Sequence, residues 1–270
     1  MRVFILLLIL PIIMSMNTMP LEEGSERLSP WLRRWDNNKI GFHKQEVHEN
    51  LLQHGATIIP SFADGGETCS DPVRVFVPLC GKSVDMAFLA QHKSVSDVVG
   101  IDGIRKALEE FAEEQPELEV KPVEDSPDAF ERLQGKKTTL LKGDLFAMDV
   151  DAAGGRFDSI WDRASLVAIA PSLREDYVQV MKKLLKPGGT ILLATLERRT
   201  GSDEGIKAGP PFSIPEKEVR RLYEAQDWVD SVSLVEEIDE FAKDPNSKER
   251  YTSMGVTSFF ELVFVIKAKD

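Results

Sequence analysis

Short apolar runs alternate with amphipathic stretches through most of this chain. Val73-Arg74-Val75-Phe76-Val77 is brief and β-branched, the pattern of a strand buried on both faces. Ser83 to Gln91 follows, with Val84, Phe88 and Leu89 spaced for one helical face. Val95 to Ile101 predicts a second strand, and Ile104 to Glu114 a helix with an acidic outer side. Thr138 to Leu141 and Phe157 to Trp161 predict a third and a fourth strand. Leu173 to Leu185 predicts a helix, stopped by Lys186-Pro187-Gly188-Gly189, and Thr190 to Leu196 a fifth strand. Ser213-Ile214-Pro215-Glu216 reads as a capping box opening another helix. Ser231 to Val235 and Phe259 to Ile266 are further strand candidates, the last expected as an antiparallel edge strand. Strands alternating with helices predict a doubly wound, mostly parallel α/β sheet.

Ahead of the first strand the pattern is different. Ser29-Pro30-Trp31 reads as a helix start, serine as cap and proline in the first turn, with Trp31 and Trp35 on one face. A second helix is expected from about Lys44 to His54, then a Gly-, Asp- and Ser-rich loop over 61–72. Residues 121–136 and 198–208 are polar, insert-like stretches. Val3 to Ile13 is apolar throughout, but a membrane span takes about 20 residues. Its charged start resembles a signal-peptide core, while Met14, Met16 and Met19 offer downstream starts. The chain therefore divides into an apolar extension (1–20, a signal or anchor, or else dispensable), a linker (21–30) and one domain (31–270). A cytoplasmic location is expected, the secretory pathway through residues 1–20 being the alternative.

Composition narrows the partners. The 270 residues hold 33 Lys and Arg against 45 Asp and Glu, a net charge of −12, and the basic residues are scattered. Nucleic acid or an anionic membrane as main partner would want them clustered. Membrane association would need residues 3–13 to act as an anchor. Apolar residues make up 42% of the chain, ample for a core. Cys69 and Cys80 read as free thiols. A monomer is the default.

In such sheets a ligand binds at the carboxyl ends of the strands. The first strand runs into Pro78-Leu79-Cys80-Gly81-Lys82-Ser83. A phosphate loop would need glycine at position 76, which is Phe, and a dinucleotide fingerprint would need three glycines, of which only Gly81 is present. A loop passing the amino-acid end of S-adenosylmethionine, which carries no phosphate, needs fewer. An acidic residue about 20 positions on should then accept the ribose hydroxyls, and Asp102 lies 21 residues after Gly81. Asp102 equally suits a helix cap, and the two roles are compatible. Gly143-Asp144-Leu145-Phe146 ends the third strand, where Asp144 could accept from an adenine amine and Leu145 or Phe146 cover the ring; an ordinary turn with a core Phe is the alternative. Trp161-Asp162-Arg163 ends the fourth, where Arg163 either pairs with Asp162 or holds an anionic substrate or developing thiolate. His43, His48 and His54 do not share a helical face, and neither HExxH nor GxSxG occurs, so no metal or acyl-enzyme site is expected.

Several blocks together resemble the thiopurine S-methyltransferase family. They are Trp31-x-x-x-Trp35, Gly41-Phe42-His43, Val75 to Lys82, Val99-Gly100-Ile101-Asp102, Phe157 to Arg163 and Gly209-Pro210-Pro211-Phe212, in order from about residue 28 to 267. The resemblance implies a class I methyltransferase (Rossmann-like) fold, a seven-stranded, mostly parallel sheet with an N-terminal helical cover. It implies that Trp31, Trp35 and Phe42 cover S-adenosylmethionine, that Leu79 and Gly81 contact it from the first loop, and that Asp102 holds its ribose. Asp144 and Leu145 would form the adenine turn, and Arg163 would sit between cofactor and acceptor as the catalytic group. The implied reaction is S-methylation of a small aromatic or heterocyclic thiol, thiopurine-like, releasing S-adenosylhomocysteine, with no metal. A halide or inorganic thiol and selenium methyltransferase, or a non-catalytic cofactor-binding protein, are the alternatives.

Overall fold

The computed structural model describes residues 26–60, 62, 71–124, 129–200 and 209–270. The apolar run Val3–Ile13, Cys69 and most of the 61–72 loop lie outside them. The strands are β1 (Val73–Val77), β2 (Val95–Asp102), β3 (Lys121–Pro122), β4 (Glu131–Gly135), β5 (Thr138–Lys142), β6 (Phe157–Arg163), β7 (Leu185–Thr200), β8 (Val229–Asp239) and β9 (Val256–Ala268). The principal helices are α1 (Ser29–Asp36), α2 (Glu49–His54), α3 (Val84–Gln91), α4 (Arg105–Glu114), α5 (Arg174–Leu184) and α6 (Glu216–Tyr223). All nine strands among the described residues form one sheet, in the order β3-β4-β5-β2-β1-β6-β7-β9-β8.

The five central strands, β5-β2-β1-β6-β7, are parallel, and both flanks are antiparallel. Alternation along the strands supplies two cores. Phe76, Val99 and Ile160 join the cluster containing Tyr177, Val178 and Met181 of α5. Val75, Val77 and Val98 join the one containing Met86, Leu89, Leu108 and Phe111 of α3 and α4. Helices thus cover both faces, which is why the central strands read as continuous apolar runs. A third cluster joins Trp35 to Ile104 and Ala107 at the start of α4, with Leu28, Trp31 and Phe42 packed on it. This is the N-terminal cover.

The structure corrects several expectations. The sheet has nine strands rather than seven, because part of the polar stretch 121–136 is the β3–β4 hairpin. It is an edge whose side chains are mostly exposed, Leu133 being the buried one of β4, so it carries little apolar signal. The final run is not an edge: β9 pairs with β7 on one side and β8 on the other, and β8 is the edge strand. The helix expected from Lys44 begins only at Glu49, because His48 is extended and commits its N–H to Asp85 Oδ1 at 2.8 Å. Ser213 caps no helix. Its Oγ accepts from the Arg198 N–H at 2.9 Å, and Pro215 occupies the cap position of α6. Likewise α1 starts at Ser29 with Leu28 in the cap position and Pro30 in the first turn. The chain is extended from Leu185, and a register shift between Phe157 and Ser159 accommodates Lys186-Pro187-Gly188-Gly189 against β6.

Candidate active site

The carboxyl ends of β1, β2, β5 and β6 meet beneath the cover. After β1, Leu79 and Gly81 both take positive φ, +41° and +52°. For leucine that backbone costs about 1 kcal/mol, so the loop is held by its surroundings. Cys80 N–H donates to Ile101 O at 2.9 Å, and Gly81 N–H to Asp102 Oδ2 at 2.9 Å, tying the loop to β2. Lys82 Nζ pairs with Glu110 and Glu114 at 2.8 and 2.7 Å, tying it to α4. Ser83 caps α3. A Cβ at Gly81 would stand 3.3 Å from the Trp35 ring, so glycine, which also supplies the positive φ, lets the cover pack directly on the loop. Cys80 is a buried, free thiol.

Asp102 also accepts from the Ile104 N–H at 2.9 Å, so each carboxylate oxygen holds a backbone donor. Its burial pushes the pKa up to about 6 against the pull of those hydrogen bonds. The helix-cap reading is not realised: Ile104 holds the cap position of α4 and no side chain caps that helix, so what Asp102 does is brace the glycine loop and the entry to α4. After β5, Asp144 Oδ1 accepts from the Phe146 N–H at 3.1 Å and Oδ2 from Arg27 at 2.9 Å. The Arg27 guanidinium lies 5.4 Å from the centre of the Phe146 ring. The Leu145 side chain is buried in the core. Phe146 is only partly buried.

After β6, Asp162 and Arg163 part company. Asp162 accepts from Tyr177 Oη–H at 2.6 Å and from the Leu166 N–H at 3.3 Å, so the pairing of Arg163 with Asp162 does not form. Arg163 instead donates to the Phe42 carbonyl at 2.9 Å, reaching into the cover. Among the described residues it makes no ion pair. Burial lowers its pKa, while the more distant carboxylates of Asp85, Glu261 and Glu240 hold it up, and a guanidinium stays charged throughout. Phe42 packs edge-on to Trp31 at 5.7 Å and Trp35 at 6.1 Å between ring centres.

The structure thus brings Trp31, Trp35, Phe42, Gly81, Asp102, Asp144 and Arg163 to one end of the sheet, with Leu79 in the same loop as Gly81. Four further residues escaped the sequence reading. Asp85 accepts from the His48 N–H and, through Oδ2 at 2.9 Å, from the Trp161 indole N–H, so one carboxylate joins cover, α3 and β6. His48 Nδ1 accepts from the Asn50 N–H, and Nε2 lies 3.5 Å from Glu261 of β9. Burial pushes the His48 pKa down to about 3, so the ring is neutral. Arg27 is the fourth. Pairings across 37, 76 and 117 residues leave no local trace in a sequence; an acidic residue in the first turn of α3 was the one visible hint for Asp85.

The residues fit a sulfonium nucleoside cofactor on two observations. One is the side-chain-free loop at Gly81, where a Cβ would press on Trp35 of the cover; the other is His43 Nε2, which is buried without a hydrogen-bond partner in the field of Lys82, Arg163, Glu114 and Glu110. Among the described residues no group of three His, Cys, Asp or Glu could hold a metal ion.

Solved structures share this architecture. A Burkholderia thailandensis 1,6-didemethyltoxoflavin-N1-methyltransferase, solved with S-adenosylhomocysteine, covers 93% of this chain and 99% of its own at TM-score 0.51 and 14% identity. The [4+2]-cyclase SpnF covers 90% and 93% at TM-score 0.55 and 14% identity. The sheet order and its helical cover define a class I methyltransferase fold. At the level of sequence, the family model for thiopurine S-methyltransferase matches residues 27–269. A thiopurine S-methyltransferase of Aliivibrio fischeri is 35% identical over 239 residues, 88% of this chain and 98% of that protein. That of Oryctolagus cuniculus is 32% identical over 247 residues, 90% of each. The chain belongs to the thiopurine S-methyltransferase family.

Proposed function

We propose that this protein methylates the sulfur of a small aromatic or heterocyclic thiol, using S-adenosylmethionine. The observation that carries the acceptor class is Arg163. It is a guanidinium largely withdrawn from water at a strand's carboxyl end, held by a carbonyl and by no ion pair among the described residues. A buried charge without a counter-charge is costly, and an anionic acceptor would supply one. Bound at the site, S-adenosylmethionine supplies an electrophilic methyl group on sulfur. Trp35, buried at 4% exposure, and Phe42 exclude water from the site. Asp102 would accept from the ribose hydroxyls through lone pairs its backbone donors leave free, and Asp144 from the adenine amine. Arg163 favours the thiolate of the acceptor by charge. An aromatic thiol ionises near neutral pH, so no strong general base is needed, and alignment of the two reacting atoms is the protein's main contribution.

Calorimetric titration with S-adenosylhomocysteine, followed by methyl transfer to a thiol panel, tests this. Arg163→Ala is expected to lower kcat/KM for an aromatic thiol about tenfold or more, about 1.4 kcal/mol of transition-state stabilisation. A change within about twofold would remove that role. Binding without turnover would point to a cofactor-binding protein, and turnover restricted to halide or selenium acceptors to the other branch of the superfamily.

A further inference from the structure

We propose that Arg27 is a positioning residue for the cofactor: it clasps the N-terminal cover to Asp144 and sets how fast the nucleoside end is released. This rests on the cofactor reading above. The cover is a strap pinned at several points. Arg163 holds the Phe42 carbonyl, Lys106 Nζ the Trp35 carbonyl at 3.1 Å, and Arg34 reaches the Pro210 carbonyl at 3.3 Å. At its leading end, Leu28 packs so closely on Gly103 that a Cβ there would stand 2.6 Å from it, beside Asp102. One residue earlier, Arg27 pairs with Asp144, 117 positions away, and lies over Phe146.

The two partners differ in exposure. The Asp144 side chain is 2% exposed and the Arg27 side chain 43%. The strap is therefore shut over the carboxyl ends of β2 and β5, which the ribose and adenine would occupy. Cofactor exchange requires that end to lift. The remaining pins are hydrogen bonds to carbonyls backed by the packed rings of Trp31, Trp35 and Phe42; Lys106 is as exposed as Arg27, but of these four pins the Arg27–Asp144 contact is the ion pair. It is therefore the pin whose strength salt changes most.

The test is stopped-flow release of S-adenosylhomocysteine from the full-length protein, with hydrogen exchange of the α1 amides in the ligand-free state. Arg27→Ala should speed release about tenfold, the scale of a charge-assisted hydrogen bond to a buried carboxylate. Salt should accelerate release from the wild type, and Arg27→Ala should abolish that acceleration and raise α1 exchange. Arg27→Lys, which keeps the charge, should restore slow release in part. If Arg27→Ala releases within about twofold of the wild type, or more slowly, the clasp is overturned while the cofactor reading stands. If the wild type itself does not bind S-adenosylhomocysteine, both fall.

Discussion

Asp102 and Asp162 lie at the carboxyl ends of the two strands that flank β1, and burial pushes both pKa values up to about 6 from an ordinary 3.8. Their donors oppose the shift without cancelling it. For Asp162 these are the Tyr177 hydroxyl and the Leu166 N–H. A carboxyl whose folded pKa is raised binds its proton more tightly in the native state. Its stabilising contribution is therefore fully present below about pH 4 and lost as pH rises through about 6. An asparagine mimics the protonated form, so the wild type's stability advantage over Asp162→Asn should shrink by roughly 2–3 kcal/mol between about pH 4 and pH 7. Urea denaturation of both proteins across that range reads the difference. A gap independent of pH would mean that Asp162 does not titrate there. At this scale the sequence was informative wherever a residue's role follows from its place after a strand. Asp102 is legible as the acidic end of β2, Arg163 as a cation at the end of β6. What those residues bond to was not legible: Asp102 braces its own glycine loop, and Arg163 turns from its neighbour to the Phe42 carbonyl.

Between elements, one carboxylate carries much of the architecture around the site. Asp85, 2% exposed in the first turn of α3, receives the His48 N–H from the cover and the Trp161 indole N–H from β6, two residues before Arg163. Asp85→Ala strands two buried donors and should cost roughly 3 kcal/mol, read from the denaturation midpoint. The same variant should lose more in methyl transfer than in S-adenosylhomocysteine affinity, because it frees the segment that Arg163 holds. An equal loss in both would assign Asp85 to stability alone. Element recognition followed burial. β1, β2, β5 and β6 lie between two layers of helices and read as apolar runs with nearly correct limits. β8 buries only Val229 and Val232 and alternates half-buried and exposed residues towards Glu236 and Asp239, and only Leu133 of β4 is buried, so the edges were shortened or missed. Ser213 and His48 misled in the opposite direction, because long-range partners claimed the groups that local rules assign to helix starts.

At the scale of the whole molecule, fold and chemistry separate. A methyltransferase and a [4+2]-cyclase share this sheet at similar TM-scores, so the architecture alone does not select a reaction. What narrows it is the set of side chains at one end of the sheet, with the family membership of residues 27–269. The net charge of −12 disfavours polyanionic partners, while Arg163, which makes no ion pair among the described residues, is the group on which the proposed anionic acceptor rests. On the proposed reading, charge at that point would distinguish a thiol acceptor from its oxygen analogue, since an aromatic thiol is ionised near neutral pH and a phenol, with pKa about 10, is not. The decisive measurement is transfer of a labelled methyl group from S-adenosylmethionine to an aromatic thiol and to the matching phenol, side by side at neutral pH. The account predicts steady turnover of the thiol, with the phenol slower by about two orders of magnitude or more. Equal turnover of the two, or methylation of the phenol alone, would contradict it.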